Sequence, residues 1–512
     1  MTTTTTRASA HTRWGLAVLL LPAMLVSMDI SILFVASPAI AGDLVPSATQ
    51  WLWMMDVYSF VLAGLLVTMG SLADRIGRRR LLMIGSALFG GASLLLTYAP
   101  SAELFIAGRA LLGIAASTLA PSTLALIRGM FADESRRRSA VAAWTVVFTG
   151  GAVAGPVLGG LLLEHFWWGS VFLVNLPVMA VLLIAAPLLV PESRGPDRSH
   201  FDVTGALLSL TGIVGVVFAA KHIADEGVDA LGIGSAVIGL VLLALFVRQQ
   251  RSAAHPLIDM SLFQRAAFSA SVIANMLATF TMVGLGLLAF TYAQAVHGLS
   301  ALHAALVALP TLAGTITGAV LASALAHRLR PAVLVPAGLL IGAAGMITIA
   351  LTDHTTSIAP FITGYTVLTL GVGIVSTMVN SLILTTATPD RAGAAASVSE
   401  TGMTLGEALG IATFGTISAF VYRAHMEHAT IEAIPAAAAE TINGALAVTS
   451  SLPADEAAAL RQTAFDAFTN GLTTVATASA AILVLAALIT ALALRVVPRS
   501  EAADDAQIPT RD

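Results

Sequence analysis

The sequence contains no cysteine. That excludes disulfides, thiol catalysis and thiolate metal sites. It contains one lysine, Lys221, and no GxxxxGK[ST] stretch surrounds it. A phosphate-binding loop needs its lysine at the nucleotide phosphates, so ATP hydrolysis by that route is excluded. Energy must come from a gradient or from a separate subunit. There is no HExxH pair, no nucleophile elbow and no metal-ligating cluster among the 11 histidines, most of which fall in loops. A membrane enzyme therefore lacks its constellation, and neither a metal nor a cofactor is expected. Charge is scarce too. Charged residues make up 11% of the 512 and apolar ones 57%, with a mean hydropathy of +0.88. No soluble domain of this size has so few charges.

What is present is a series of about fourteen apolar stretches long enough to cross a bilayer. They lie near 15–41, 51–72, 81–99, 103–130, 139–163, 168–189, 203–222, 231–248, 267–295, 301–326, 332–351, 358–387, 393–422 and 471–495. Residues 1–13 form a polar, Thr-rich arm with no small-residue cleavage site after it, and the first span is too long for a signal-peptide core. Basic residues alternate between loops. The arm carries Arg7 and Arg13, the 2–3 loop Arg75, Arg78, Arg79 and Arg80, and the 4–5 loop Arg128, Arg136, Arg137 and Arg138. Arg248, Arg251 and Arg265, then Arg328 and Arg330, then Arg391, continue the pattern. The intervening side has only Lys221, Arg423 and Arg461. By the positive-inside rule both termini are cytoplasmic, which requires an even number of spans.

Within the first span, GLAVLLLPAMLVSMDISILFVASPAIAG, one charge interrupts a long apolar run: Asp29, near its middle. A carboxylate at that depth is costly and is usually kept to carry a proton or meet a cation. The chain also repeats itself. SLADRIGR (71–78) and ALAHRLR (324–330) each follow a second span of a half, and GIAASTLAPSTLALI (113–127) is matched by GVGIVSTMVNSLIL (371–384). Repeats of this kind mark secondary transporters, with the site near the midplane. The expected architecture is an all-α integral membrane protein of two six-helix bundles, at 14–201 and 267–497. Two inserted helices occupy 202–250, a linker 251–266 and a cytoplasmic tail 498–512. A long outer loop, 424–470, is Ala-rich with scattered acids, suits short amphipathic helices, and reads as a solvated cap or as a gate.

The motifs then become specific. GSLADRIGRRR (70–80), GRALLGIAAS (108–117) and GAVAGPVLGG (151–160), together with MDISILFVASP in span 1 and SVSETGMTLGEALGIATFG in span 13, resemble the 14-helix drug:proton antiporter family of the major facilitator superfamily. The resemblance covers nearly the whole chain. It implies a two-bundle alternating-access fold and proton-driven export of lipophilic cations such as drugs, dyes and biocides. The expected setting is a bacterial cytoplasmic membrane. The expected partners are protons, the cations and the lipid bilayer, not nucleic acid, and a monomer is the working expectation. It also implies that Arg109 is the family's membrane arginine and that Glu400 is the acid of span 13 that couples drug and proton. A nutrient symporter of the same superfamily is the alternative, against which the GPxxGG signature and the span count speak.

The residues have physical readings of their own. Gly151, Gly155 and Gly159 recur every four positions with Gly160 adjacent, so they line one helix face and admit a close neighbour. Pro156 bends that helix. The combination suits a seal against leak, or ordinary tight packing. Asp74 falls at the C-terminal end of span 2, where the helix dipole disfavours an anion. It should pair with Arg78 or with the start of a neighbouring helix. With Gly70, Arg75 and Gly77, that pair reads as a conformational latch or as a topology signal. Arg109 lies roughly 10 Å inside span 4. It either snorkels outward or faces a cavity and acts on the proton of a carboxylate such as Asp29. Glu400 and Glu407 share a face of span 13 with Thr404 between them, and Glu407 reads equally as a structural hydrogen-bonder. Asp56 either opens to outside water or, with Trp53 and Tyr58, receives cations. Trp144, Phe148, Phe280 and Tyr292 are aromatic candidates for the cavity or for packing, and Trp167–Trp168 read as an interfacial belt.

Overall fold

The computed structural model describes residues 10–131, 133–194, 202–227, 229–252, 263–326, 328–355, 357–386, 392–428, 435–449 and 451–495. Most of the expected arm, most of the linker at 251–266 and the tail at 498–512 lie outside them. The described residues form helices and no strands. The helices group into two compact units: residues 1–36 with 53–210, and residues 37–52 with 211–512.

The first unit holds most of α1 (Ala10–Leu44) and α2 (Ala48–Ile76), then α3 (Arg78–Thr97), α4 (Ala102–Met130), α5 (Glu134–His165), the short α6 (Ser170–Leu173), α7 (Asn175–Leu189) and the start of α8 (Val203–Glu226). Local chemistry sets the helix starts. The Ser101 side chain accepts from Leu104 N at 3.4 Å and caps α4, with Glu103 in its first turn; Asp133 accepts from Arg136 N at 2.9 Å and caps α5. Both place an acceptor on N–H groups that no helical carbonyl can reach. Phe105 meets Trp168 and Phe172 edge-on at 5.9 and 5.8 Å. The Trp pair therefore divides. Trp167 is 48% exposed and suits an interface, but Trp168 is 8% exposed and packs inward, because successive residues of the turn point to opposite sides.

The second unit contains the α1–α2 elbow and the rest of α8. It continues with α9 (Ala230–Ser252), α10 (Ala266–Thr291) with a π-helical turn over Tyr292–Val296, α11 (Ala301–Val307), α12 (Leu309–Leu325) and α13 (Pro331–Ala350). It closes with α14 (Ala359–Thr386), α15 (Ala392–Glu427), α16 (Ala436–Glu440), α17 (Ile442–Thr449) and α18 (Ala454–Ala493). Small residues let its helices touch. A Cβ on Gly364 would lie 2.7 Å from the Gly345 carbonyl, so α13 and α14 meet backbone to backbone.

Among the described residues, 12 helices are long and apolar enough to cross a membrane, and 13 if α2, bent by 52° at its middle, counts as one span. The expected fourteen is not confirmed among the described residues. The segment near 203–222 falls in α8, whose uncharged run extends from Val203 to Ala220 ahead of Lys221 and His222. The expected outer loop at 424–470 is partly helical, as its alanine content suggests. It contains α16 and α17, and α18 begins at Ala454. Alanine is the strongest helix former, and Asp455 and Glu456 sit in the first turn where the dipole favours them.

Candidate functional site

Asp29 and Arg109 meet. Arg109 Nη1 donates to Asp29 Oδ2 at 2.7 Å, joining α1 to α4, and each side chain is 1% exposed. The Tyr58 ring from α2 lies 4.5 Å from the guanidinium carbon, a distance at which the ring face attracts the cation. Asn175, at the start of α7, is buried and donates to Ser93 Oγ at 3.0 Å. Helices α1, α2 and α4 thus meet at one buried ion pair, in a setting where a charge is tolerated only when paired and hydrogen-bonded.

The glycine face of α5 packs on the turns of α1 that bracket Asp29. Gly151 faces the Met24 carbonyl and Ser27 Oγ. A Cβ on Gly155 would come within 2.8 Å of the Met28 carbonyl, and one on Gly159 within 2.6 Å of Ile32 Cγ1. Ser27 reinforces the contact by donating to the Phe148 carbonyl. Gly160 is buried and Pro156 half-buried on the same helix. Trp144 stacks on Phe148 with ring centres 5.2 Å apart, and its Nε1 donates to Thr123 Oγ1 at 3.2 Å.

Asp56 and Tyr58 are both fully buried. The reading in which Asp56 opens to outside water does not describe this conformation, since its turn of α2 packs inward. At the other end of α2, Asp74 Oδ1 accepts from Arg78 at 2.8 Å, as the dipole argument requires. Gly77 between the helices has φ +112°, a conformation only glycine adopts readily, and a Cβ there would lie 2.8 Å from the Glu192 carboxylate. A Cβ on Gly70 would lie 3.9 Å from Pro121 Cβ, an ordinary contact, and Arg75 is exposed.

Glu192 is the residue that the sequence reading missed. Its carboxylate accepts from Arg79 N at 3.0 Å and Arg80 N at 3.2 Å, and Arg78 N donates to the Ser193 carbonyl at 2.9 Å. The α3 N-terminus is thereby capped by a segment more than a hundred positions away. The only signal in the sequence was α3 itself, which opens on three arginines with no capping residue ahead of it.

In the second unit Glu407 is half-buried on α15, and the Glu400 side chain lies outside the described set. Phe280 meets Phe414 edge-on at 5.2 Å. Tyr292 is fully buried between His297 and Phe361, and its hydroxyl donates to the Asp353 carbonyl at 3.3 Å, so it packs in the core of this unit.

Residues 19–411 match the Major Facilitator Superfamily profile. The chain belongs to the major facilitator superfamily. It is 43% identical over 503 residues to the multidrug efflux pump LfrA of Mycolicibacterium smegmatis, covering 96% of this chain and 98% of that one. It is 35% identical over 459 residues to the methyl viologen resistance protein SmvA of Salmonella typhimurium, covering 88% and 92%. A solved superfamily-like transporter structure, a bacterial homologue of the human lysosomal transporter Spinster in an inward-facing, unoccupied conformation, superposes with a TM-score of 0.68 at 17% identity. That alignment covers 95% of this chain and 98% of the other, and it supports the superfamily fold alone.

Proposed function

We propose that this superfamily member exports lipophilic, mostly cationic drugs, dyes and biocides by alternating access, each in exchange for protons. It does so as a monomer in a bacterial cytoplasmic membrane, with both termini cytoplasmic. The relatives named for multidrug efflux and for methyl viologen resistance support the substrate class. The observation that carries the proton step is the buried Asp29–Arg109 pair. A proton, a guanidinium and a cationic substrate are three alternative partners for one carboxylate, and only one can neutralise it at a time. Protonation from the acidic side discharges Asp29 and releases Arg109 and any bound cation. Deprotonation at the cytoplasmic side restores the attraction. Glu400 provides a second such group, Asp56 and Glu407 add negative charge, and Tyr58, Trp144 and Phe148 add ring faces for the substrate.

Gly151, Gly155, Pro156, Gly159 and Gly160 act as the seal, because a face that seats α5 on α1 around Asp29 couples the carboxylate's surroundings to helix packing. Gly70, Asp74, Arg75, Gly77 and Arg78 act as the latch at the cytoplasmic end. Dye efflux from inverted vesicles with a pH-sensitive reporter tests this. Asp29→Asn and Glu400→Gln should each lose coupled efflux while still folding. Wild-type rates from Asp29→Asn would remove that residue from the mechanism, and proton-coupled import by the unsubstituted chain would make it a symporter instead.

A further inference from the structure

We propose that the second unit holds another binding site for lipophilic cations, between the α1–α2 elbow and the α16–α17 hairpin. The ligand class rests on the export reading above; the site does not involve Asp29. A cavity of about 370 Å³ lies there, with Trp51, Gln50, Glu440 and Asn443 on its walls. A narrower space of about 70 Å³ adjoins it, sharing Trp51, Glu440 and Asn443 and adding Leu52, Tyr422 and Phe468. Together they offer an indole, a carboxylate, a side-chain amide and an apolar aromatic recess. That is the chemistry a flat or bulky organic cation needs, and the larger space reaches the lower end of the range for small-molecule sites.

The walls are held in place by specific bonds. Ser47 and Gln50 cap α2 reciprocally: Gln50 N donates to Ser47 Oγ at 3.2 Å and Ser47 N to Gln50 Oε1 at 3.0 Å. Val45, on the cavity wall, has φ +40°, a left-handed conformation that a β-branched residue adopts only when its surroundings impose it. On the hairpin, Thr441 Oγ1 accepts from Gly444 N at 3.0 Å, and the Tyr422 hydroxyl donates to the Ala438 carbonyl at 3.0 Å. Leu52 lies over Gly415, where a Cβ would come within 2.5 Å of it. The cavity is therefore built between two constrained turns.

Arg423 lies within electrostatic reach of Glu440. A cation entering the cavity competes with that arginine for the carboxylate, so the site binds more weakly than an acid without a resident partner. Weak binding suits a station from which cargo must leave, and the expected topology puts the hairpin on the outer side.

Equilibrium dialysis of the full-length protein in detergent with radiolabelled tetraphenylphosphonium tests the proposal. Two classes of site are expected. Asp29→Asn should leave the weaker class intact, and Trp51→Ala should weaken that class about tenfold while sparing the tighter one, the scale of one desolvated cation–ring contact. Because the chain has no cysteine, Asn443→Cys introduces a single thiol on the wall. Its labelling by a membrane-impermeant maleimide should slow with tetraphenylphosphonium in both the wild-type and the Asp29→Asn backgrounds. A single class abolished by Asp29→Asn, or thiol labelling indifferent to the cation, overturns the proposal. No binding at all by the unsubstituted chain overturns the export reading that supplies its ligand.

Discussion

At the scale of single residues, the Asp29–Arg109 pair dominates. Removing one member of a buried pair strands the other, which typically costs about 3–5 kcal/mol. Arg109→Ala should therefore lower the apparent melting temperature in detergent more than Asp29→Asn/Arg109→Ala does, since the double variant leaves no charge behind. Equal losses would mean that the two side chains do not share their energetics. Both members were legible in the sequence, because a charge inside an apolar helix stands out at once. Their pairing was legible only as a guess, since the contact spans 80 positions. Glu192 was not legible. It serves an N-terminus far along the chain, and a lone acid in a polar linker carries no periodic signal. Glu192→Ala should cost about 1 kcal/mol, the usual worth of a helix cap, read as a lower melting temperature.

His297 makes a separate prediction. It follows the π-helical turn, and burial together with the nearby His354 holds its pKa below the ordinary histidine value. The groups around it are Tyr292 on its own element, His354 and Asp353 from the α13–α14 turn, and Asp466 of α18, which reaches His354 at 3.0 Å. Since the folded form resists the proton, the unfolded chain binds more of it as pH falls past about 6.5. The contribution is complete above that value and is lost below it. The melting temperature should drop from pH 7.5 to 5.5, and His297→Gln should flatten the drop. Asp353, whose pKa is held low first by the backbone of Thr355, titrates below this window and does not obscure the result.

At the scale of elements, the α5–α1 contact is the one most sensitive to volume. Gly155→Ala adds a methyl against the Met28 carbonyl, backbone that cannot swing aside, at a cost of about 1–3 kcal/mol. Efflux should fall with it, whereas Gly150→Ala, with open space around it, should be neutral in both assays. The glycine spacing announced a flat face, but its partner became visible only in three dimensions. One element was legible only in part. The start of α18 is helical without being apolar, so hydropathy took it for loop. Trp168 illustrates a third limit, because the direction of a side chain in a turn depends on backbone angles that composition does not encode.

At the scale of the whole molecule, exchange of one proton for one monovalent cation moves no net charge. Each uncompensated charge would be worth about 2.3 kcal/mol per 100 mV. Efflux of a monovalent dye driven by ΔpH should then be indifferent to a clamped membrane potential in proteoliposomes. A divalent substrate exchanged for one proton should respond to it. Potential dependence with a monovalent dye would require a different stoichiometry.

Helix α1 is continuous from Ala10 to Leu44, yet its residues up to Ala36 belong to the first unit and those from Ser37 onward to the second. One rod therefore carries Asp29 and, eight positions later, the beginning of the elbow. A helix advances about 100° per residue, so inserting or deleting a single amino acid between Asp29 and Ile32 would turn Ile32 away from Gly159 of α5. Chain length over this interval is as constrained as the identity of any side chain in it.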